Sequence, residues 1–204
     1  MFAAMAAAGG CGSHDITAMA AALPGRSELL SRGDPAHAVW VDDSGAFAAV
    51  CRGLCWLPED PLDTQPGVDP ELIFVCRARL HARAGLLRQL QIDAPRAATL
   101  SDAQILRQCY KRWREETPQR VYGDFAFVAW ERWSRRTVAA TDHLGNFPLF
   151  YCRTGGRILF ASQKPVHGRT MFKGIEVLHG GHLLVHHEAV VRIEKWWRDP
   201  EEAS

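Results

Sequence analysis

The sequence predicts an α+β fold, a four-layer αββα sandwich of two antiparallel sheets covered by helices. Strand-like segments come in two batches, one before residue 80 and one after residue 122. Two segments of helical period lie between the batches. The strongest strands are apolar on both faces, so helices must cover the outer sides of the two β layers.

The elements follow in order. Residues 1–10 are apolar and Ala-rich and lack the positive n-region of a signal peptide, so they read as a buried first strand. Residues 15–30 have helical spacing, interrupted at Pro24-Gly25. Residues 38–41 and 46–50 read as two strands joined by the turn Asp42-Asp-Ser-Gly45. Residues 58–70 hold four prolines and four acidic residues and read as a surface loop. Residues 72–76 form an apolar run of strand length. A short helix is expected over 82–90 and a longer one over 101–116. In the longer helix Ser101 is the N-cap, Asp102 complements the dipole in the first turn, and Pro118 closes the element. Its apolar stripe is Ile105, Cys109 and Trp113.

From Tyr122 the chain is β, with strands over 124–131, 137–141, 147–153 and 157–161, the last two joined at Thr154-Gly-Gly156. A final hairpin pairs 182–187 with 190–194. His182 and His186 share a strand face and His187 points away, which reads as a half-exposed hairpin and not as a metal site. The organisation is one domain over 1–197 and a polar tail over 198–204, a domain edge or the start of a linker.

At 204 residues the chain can bury the core of one domain. A net charge of +1 gives no electrostatic case for nucleic acid or an acidic membrane. No apolar run approaches the ~20 residues of a membrane span. Six cysteines occur without a Cys-x-x-Cys pair, which points to a reducing cytoplasm with no disulfide framework and no zinc site.

Several motifs then line up. They are Ser101-Asp102 before an apolar helix, Tyr122-Gly-Asp-Phe-Ala-Phe127, Asp142-His-Leu-Gly145 with Pro148-Leu-Phe-Tyr151, Phe160-Ala-Ser162, Gly180-Gly181 before a hairpin, and Trp196-Trp197. In this order they resemble the N-terminal glutamine amidotransferase domain of the asparagine synthetases, a class II, Ntn-hydrolase-like domain. Arg32-Gly-Asp-Pro35 resembles that family's Arg-Gly-Pro-Asp with the last two residues exchanged. The segment 54–62 with Gln65-Pro66 resembles the lasso-peptide cyclases, and the degenerate β-lactam synthetase-like members are similar too.

The resemblance implies chemistry whose residues are missing here. The family hydrolyses glutamine with an N-terminal cysteine directly after the initiator Met; that position is Phe2, which has no nucleophilic atom. The arginine that would hold the glutamine carboxylate falls at Gly53, and Arg52 is one residue off, on the other strand face. The Asn-Gly oxyanion pair falls at Arg77-Ala78 and the following Glu at Arg79. Losing one oxyanion donor alone costs about 10²–10³ in rate. Asp102 stands where the family's aspartate would hold the glutamine amine, and a helix first-turn acid explains it equally well. Cys11-Gly12 is the alternative nucleophile if the chain is processed.

The expected function is therefore a non-catalytic scaffold, as domain or subunit of an ATP-dependent amide- or lactam-forming ligase. ATP and Mg²⁺ would sit on the partner synthetase, because this chain has no Ser-Gly-Gly-x-Asp-Ser motif and implies no cofactor of its own. A homodimer and a peptide substrate also fit the resemblance. Two alternatives stand beside it: an active glutamine amidohydrolase using Cys11, and a stand-alone peptide- or carboxylate-binding module using Arg77 and Arg79. Arg77, Arg79 and Arg83 read either as an anion site or as arginines filling a vestigial pocket. Trp196 and Trp197 read either as a partner contact or as the closing edge of the sandwich.

Overall fold

The computed structural model describes residues 2–7, 11, 37–52, 65–163, 174–188 and 190–197. They form two six-stranded antiparallel sheets packed face to face. The strands are β1 (Phe2–Ala7), β2 (His37–Val41), β3 (Phe47–Arg52), β4 (Gly67–Val68), β5 (Leu72–Leu80), β6 (Gly123–Glu131), β7 (Arg136–Thr141), β8 (Leu149–Thr154), β9 (Arg157–Ala161), β10 (Ile175–Leu178), β11 (His182–His187) and β12 (Val190–Lys195). Four helices, α1 (Arg83–Gln89), α2 (Ala94–Ala97), α3 (Asp102–Trp113) and α4 (Thr117–Arg120), lie between β5 and β6. One sheet runs β10-β8-β9-β1-β3-β2, the other β12-β11-β7-β6-β5-β4.

Period-two alternation sorts side chains into two cores. Ile73, Val75, Ala126, Val128 and Trp130 face the other sheet and meet Phe2, Ala4, Phe47, Leu149 and Phe160. Phe74, Cys76, Phe125 and Phe127 face outward and meet Ile105, Leu106, Cys109 and Tyr110 of α3. The α+β sandwich of the sequence reading is thus present, with a helical layer over the β5–β6–β7 sheet. The helix expected at 15–30 lies outside the described residues.

Several details differ from the sequence reading. The surface loop of 58–70 contains β4, which hydrogen-bonds to the edge of β5; residues 58–64 lie outside the described set. The long helix stops at Trp113, where Arg114 turns to φ 50°. Pro118 then sits at the start of α4, where its fixed φ suits a helix N-terminus, so it opens an element and does not close one. The short helix α2 and the strand β10 have no counterpart in the pattern reading. In the final hairpin β11 is buried from Leu183 to His186, with His182 half-buried and His187 exposed, and β12 is mostly exposed. Among the described residues no helix is long and apolar enough to cross a membrane.

Candidate functional site

Three chain turns meet at one end of the sandwich: the end of β5, the start of β6, and the 142–147 loop after β7. The loop is built by one carboxylate. Asp142 accepts the backbone N–H groups of Phe125 (3.1 Å), Leu144 (2.9 Å), Gly145 (2.7 Å), Asn146 (3.2 Å) and Phe147 (3.3 Å). Glycines let the turns touch. A Cβ on Gly123 would lie 2.3 Å from the Arg79 carbonyl oxygen, and one on Gly180 would lie 2.5 Å from the Leu144 carbonyl carbon.

The loop delivers Phe147 and Asn146 to β5 and β6. Arg77 and Arg79 share the inter-sheet face of β5 with Ile73 and Val75. The Arg77 guanidinium lies 4.1 Å from the centre of the Phe147 ring. Burial lowers the Arg77 pKa, and the neighbouring charge of Arg79 lowers it further. Asp124 pairs across the strands with Arg79, accepts from Asn146 Nδ2 at 2.9 Å, and lies 3.8 Å from His81 Nε2. Ala78 points the other way, into the helix-side core. The three β5 positions at which the resemblance places site residues are therefore divided between two faces.

Asp102 belongs to the helix side. It is buried, accepts the Leu80 N–H at 2.9 Å, and is bound by Arg83 Nη1 at 2.7 Å. Arg83 also donates to the carbonyls of Ala97 and Leu100. Arg83 thus works as an internal clamp between α1 and the start of α3. Gly53 lies outside the described residues.

Phe2 begins β1. Its side chain is 1% exposed and sits in the inter-sheet core. Its N–H donates to Ser162 Oγ at 2.8 Å, and the Ser162 N–H donates back to its carbonyl at 3.0 Å. Cys11 sits beyond the opposite end of the strand, where its N–H reaches Gly45. Its thiol folds back onto the strand, 3.6 Å from the Met5 carbonyl oxygen. The thiol nearest in the ladder is one the sequence reading overlooked: Cys51, directly opposite Phe2 on β3 and buried in the same core. The Phe2↔Cys51 pairing depends on the β1–β3 register, which no local pattern announces.

Trp196 and Trp197 fold back onto this end of the sandwich. Both backbone N–H groups reach the Gly181 carbonyl, and the His143 ring meets both indoles edge-on at 4.7 and 5.5 Å. Trp196 packs on the helix-side core. Among the described residues, no group of three or more His, Cys, Asp or Glu is placed to hold a metal ion.

The sequence model of a family described as a glutamine amidotransferase domain matches residues 57–166, more than half the chain. The chain belongs to this family. As a glutamine amidotransferase domain it is similar to asparagine synthetase [glutamine-hydrolyzing] 3 of Bacillus subtilis, with 23% identity over 151 residues, covering 61% of this chain and 25% of that protein. It is also similar to a putative asparagine synthetase of Mycobacterium bovis, with 27% identity over 168 residues, covering 78% of this chain and 26% of that protein. The chain thus spans about a quarter of the length of these curated relatives. In fold it resembles the glutamine phosphoribosylpyrophosphate amidotransferase of B. subtilis solved with ADP and GMP, at TM-score 0.56 and 19% identity, covering 76% of this chain and 36% of that one. In this glutamine amidotransferase domain the motif residues that match, Asp142, Gly123 and Gly180, shape backbone.

Proposed function

We propose that this glutamine amidotransferase domain is a non-catalytic scaffold, acting as domain or subunit of an asparagine synthetase-like ligase that forms amide or lactam bonds with ATP. A lasso-peptide macrocyclase is the narrower form of the reading. One observation carries it: the nucleophile position holds a core phenylalanine whose backbone is bonded on both sides to Ser162. A side chain without a nucleophilic atom cannot form the covalent intermediate of glutamine hydrolysis. The Arg83 clamp on Asp102 argues the same way.

The partner is a synthetase that binds ATP and Mg²⁺, in the cytoplasm. Tyr122 (64% exposed) and Leu144 (74% exposed) flank His143 and Trp197, giving an aromatic patch where the described chain ends. Exposed contiguous apolar surface of this kind suits a protein interface.

Two measurements test the proposal. Ammonia release from glutamine should stay at the uncatalysed background; turnover that Cys11→Ser or Cys51→Ser abolishes would overturn the scaffold reading. Capture from the native host should return a protein with a Ser-Gly-Gly-x-Asp-Ser motif, and Tyr122→Ala with Leu144→Asp should weaken that capture at least tenfold.

A further inference from the structure

One strip of the inter-sheet core does not fit an apolar interior. The register places Ile73, Trp130, Thr137, His186 and Val191 side by side across β5, β6, β7, β11 and β12. Ile73 and Trp130 belong to the inter-sheet core and Val191 packs against it, so the whole row faces the other sheet. Three members of the row are polar, and they are 3%, 0% and 7% exposed in the order Trp130, Thr137, His186. Trp130 Nε1, Thr137 Oγ1 and His186 Nδ1 are all buried without a hydrogen-bond partner.

Three orphans in consecutive register positions cannot be treated as separate accidents. A buried polar group left unpaired forfeits its hydration without return, and native interiors leave few of them. Phe47 from the opposite sheet stacks on the indole at 5.5 Å with an interplanar angle of 11°.

We infer that Trp130, Thr137 and His186 build an internal water site between the two sheets. The donor and acceptor inventory closes on water. The indole N–H only donates, the hydroxyl donates or accepts, and a neutral imidazole with its proton on Nε2 offers Nδ1 as an acceptor. Burial, then the charge of His187, disfavours protonated His186, which keeps that acceptor available. A water accepts from Trp130 and donates to Thr137 and His186, making the roughly three bonds typical of buried waters. Strands ~4.8 Å apart leave the row within reach of one water centred over Thr137, or two in file.

The test reads both the ligand and the sign of a mutation. In ¹⁵N-labelled protein, the Trp130 indole N–H, assigned by its loss in Trp130→Phe, should show direct cross-relaxation to a long-lived water. Thr137→Val should remove that signal and lower the melting temperature by several degrees, because it strips the water of a partner. Thr137→Ser, which keeps the hydroxyl, should preserve the water signal. If the strip is dry, Thr137→Val instead deletes an unpaired hydroxyl and raises the melting temperature. An indole N–H without a water signal, together with a stabilised Thr137→Val, would overturn the inference.

Discussion

Asp142 shows how one side chain can fix a functional end. Its two oxygens hold five backbone N–H groups, so an amide in its place would present N–H to N–H. Asp142→Asn should cost at least about 2 kcal/mol, read as a lower urea midpoint with unchanged slope. Gly123 gives a second contrast. Gly123→Ala meets the Arg79 carbonyl at 2.3 Å, whereas a Cβ on Gly45, also at positive φ, meets nothing within 4 Å. Gly45→Ala should therefore cost only the left-handed penalty of about 1–2 kcal/mol, and Gly123→Ala clearly more. Both residues stood out in the sequence as parts of turns and motifs. Their atomic duties did not, because those depend on loops brought together from distant segments.

The elements divide along similar lines. Ser101 was legible as the N-cap of α3, and the structure adds the reciprocal bond from Gln104 that completes a capping box. Ser101→Ala should destabilise by about 1 kcal/mol, measurable by thermal unfolding. Long apolar strands such as β5 and β6 announced themselves. The two-residue β4 did not, since only pairing with β5 makes it a strand. Nor did β10, whose Ile-Glu-Val-Leu is too short to establish a period. β5 extends beyond its apolar run through Arg77 and Arg79, which alternation sets on one strand face, and this end of the inter-sheet space receives Phe147 and Asp124. The geometry of the candidate positions comes from the structure alone: Ala78 faces the opposite core, and Arg83 is a partner of Asp102.

Over the whole molecule, charge networks pin the helical layer to the sheet. Glu131 accepts from Tyr110 (2.9 Å), Arg136 (2.9 Å) and Ser134 (3.1 Å), while Arg136 and Arg192 both reach Glu115. Burial opposes ionisation of Glu131, but the bonds from Arg136 and Tyr110 outweigh it and hold its pKa below the usual carboxylate value. Asp69 behaves alike, with burial outweighed by Lys111 and Arg107 of α3. A carboxylate with a depressed folded-state pKa stabilises above its unfolded value, about 4, and loses that contribution as pH falls through the folded pKa. His186 is depressed by burial and then by His187, so it opposes folding once unfolded histidines protonate, below about pH 6.5. Stability should thus decline gently from about pH 6.5 and steeply below about pH 4, and Glu131→Gln should flatten the lower limb of a melting-temperature profile.

β1 lies in the middle of its sheet, between β3 and β9, with Ala3 paired to both Val50 and Ala161. During synthesis one flank of this strand can be covered early, but its other flank must wait until the ribosome has passed β9. At about 5–20 residues per second, an alanine-rich strand with an open edge stays exposed for many seconds. The nascent chain is most vulnerable to pairing with a neighbour in that interval. Expression yield should therefore respond more to chaperone supply and translation speed than to the equilibrium stability of the finished domain.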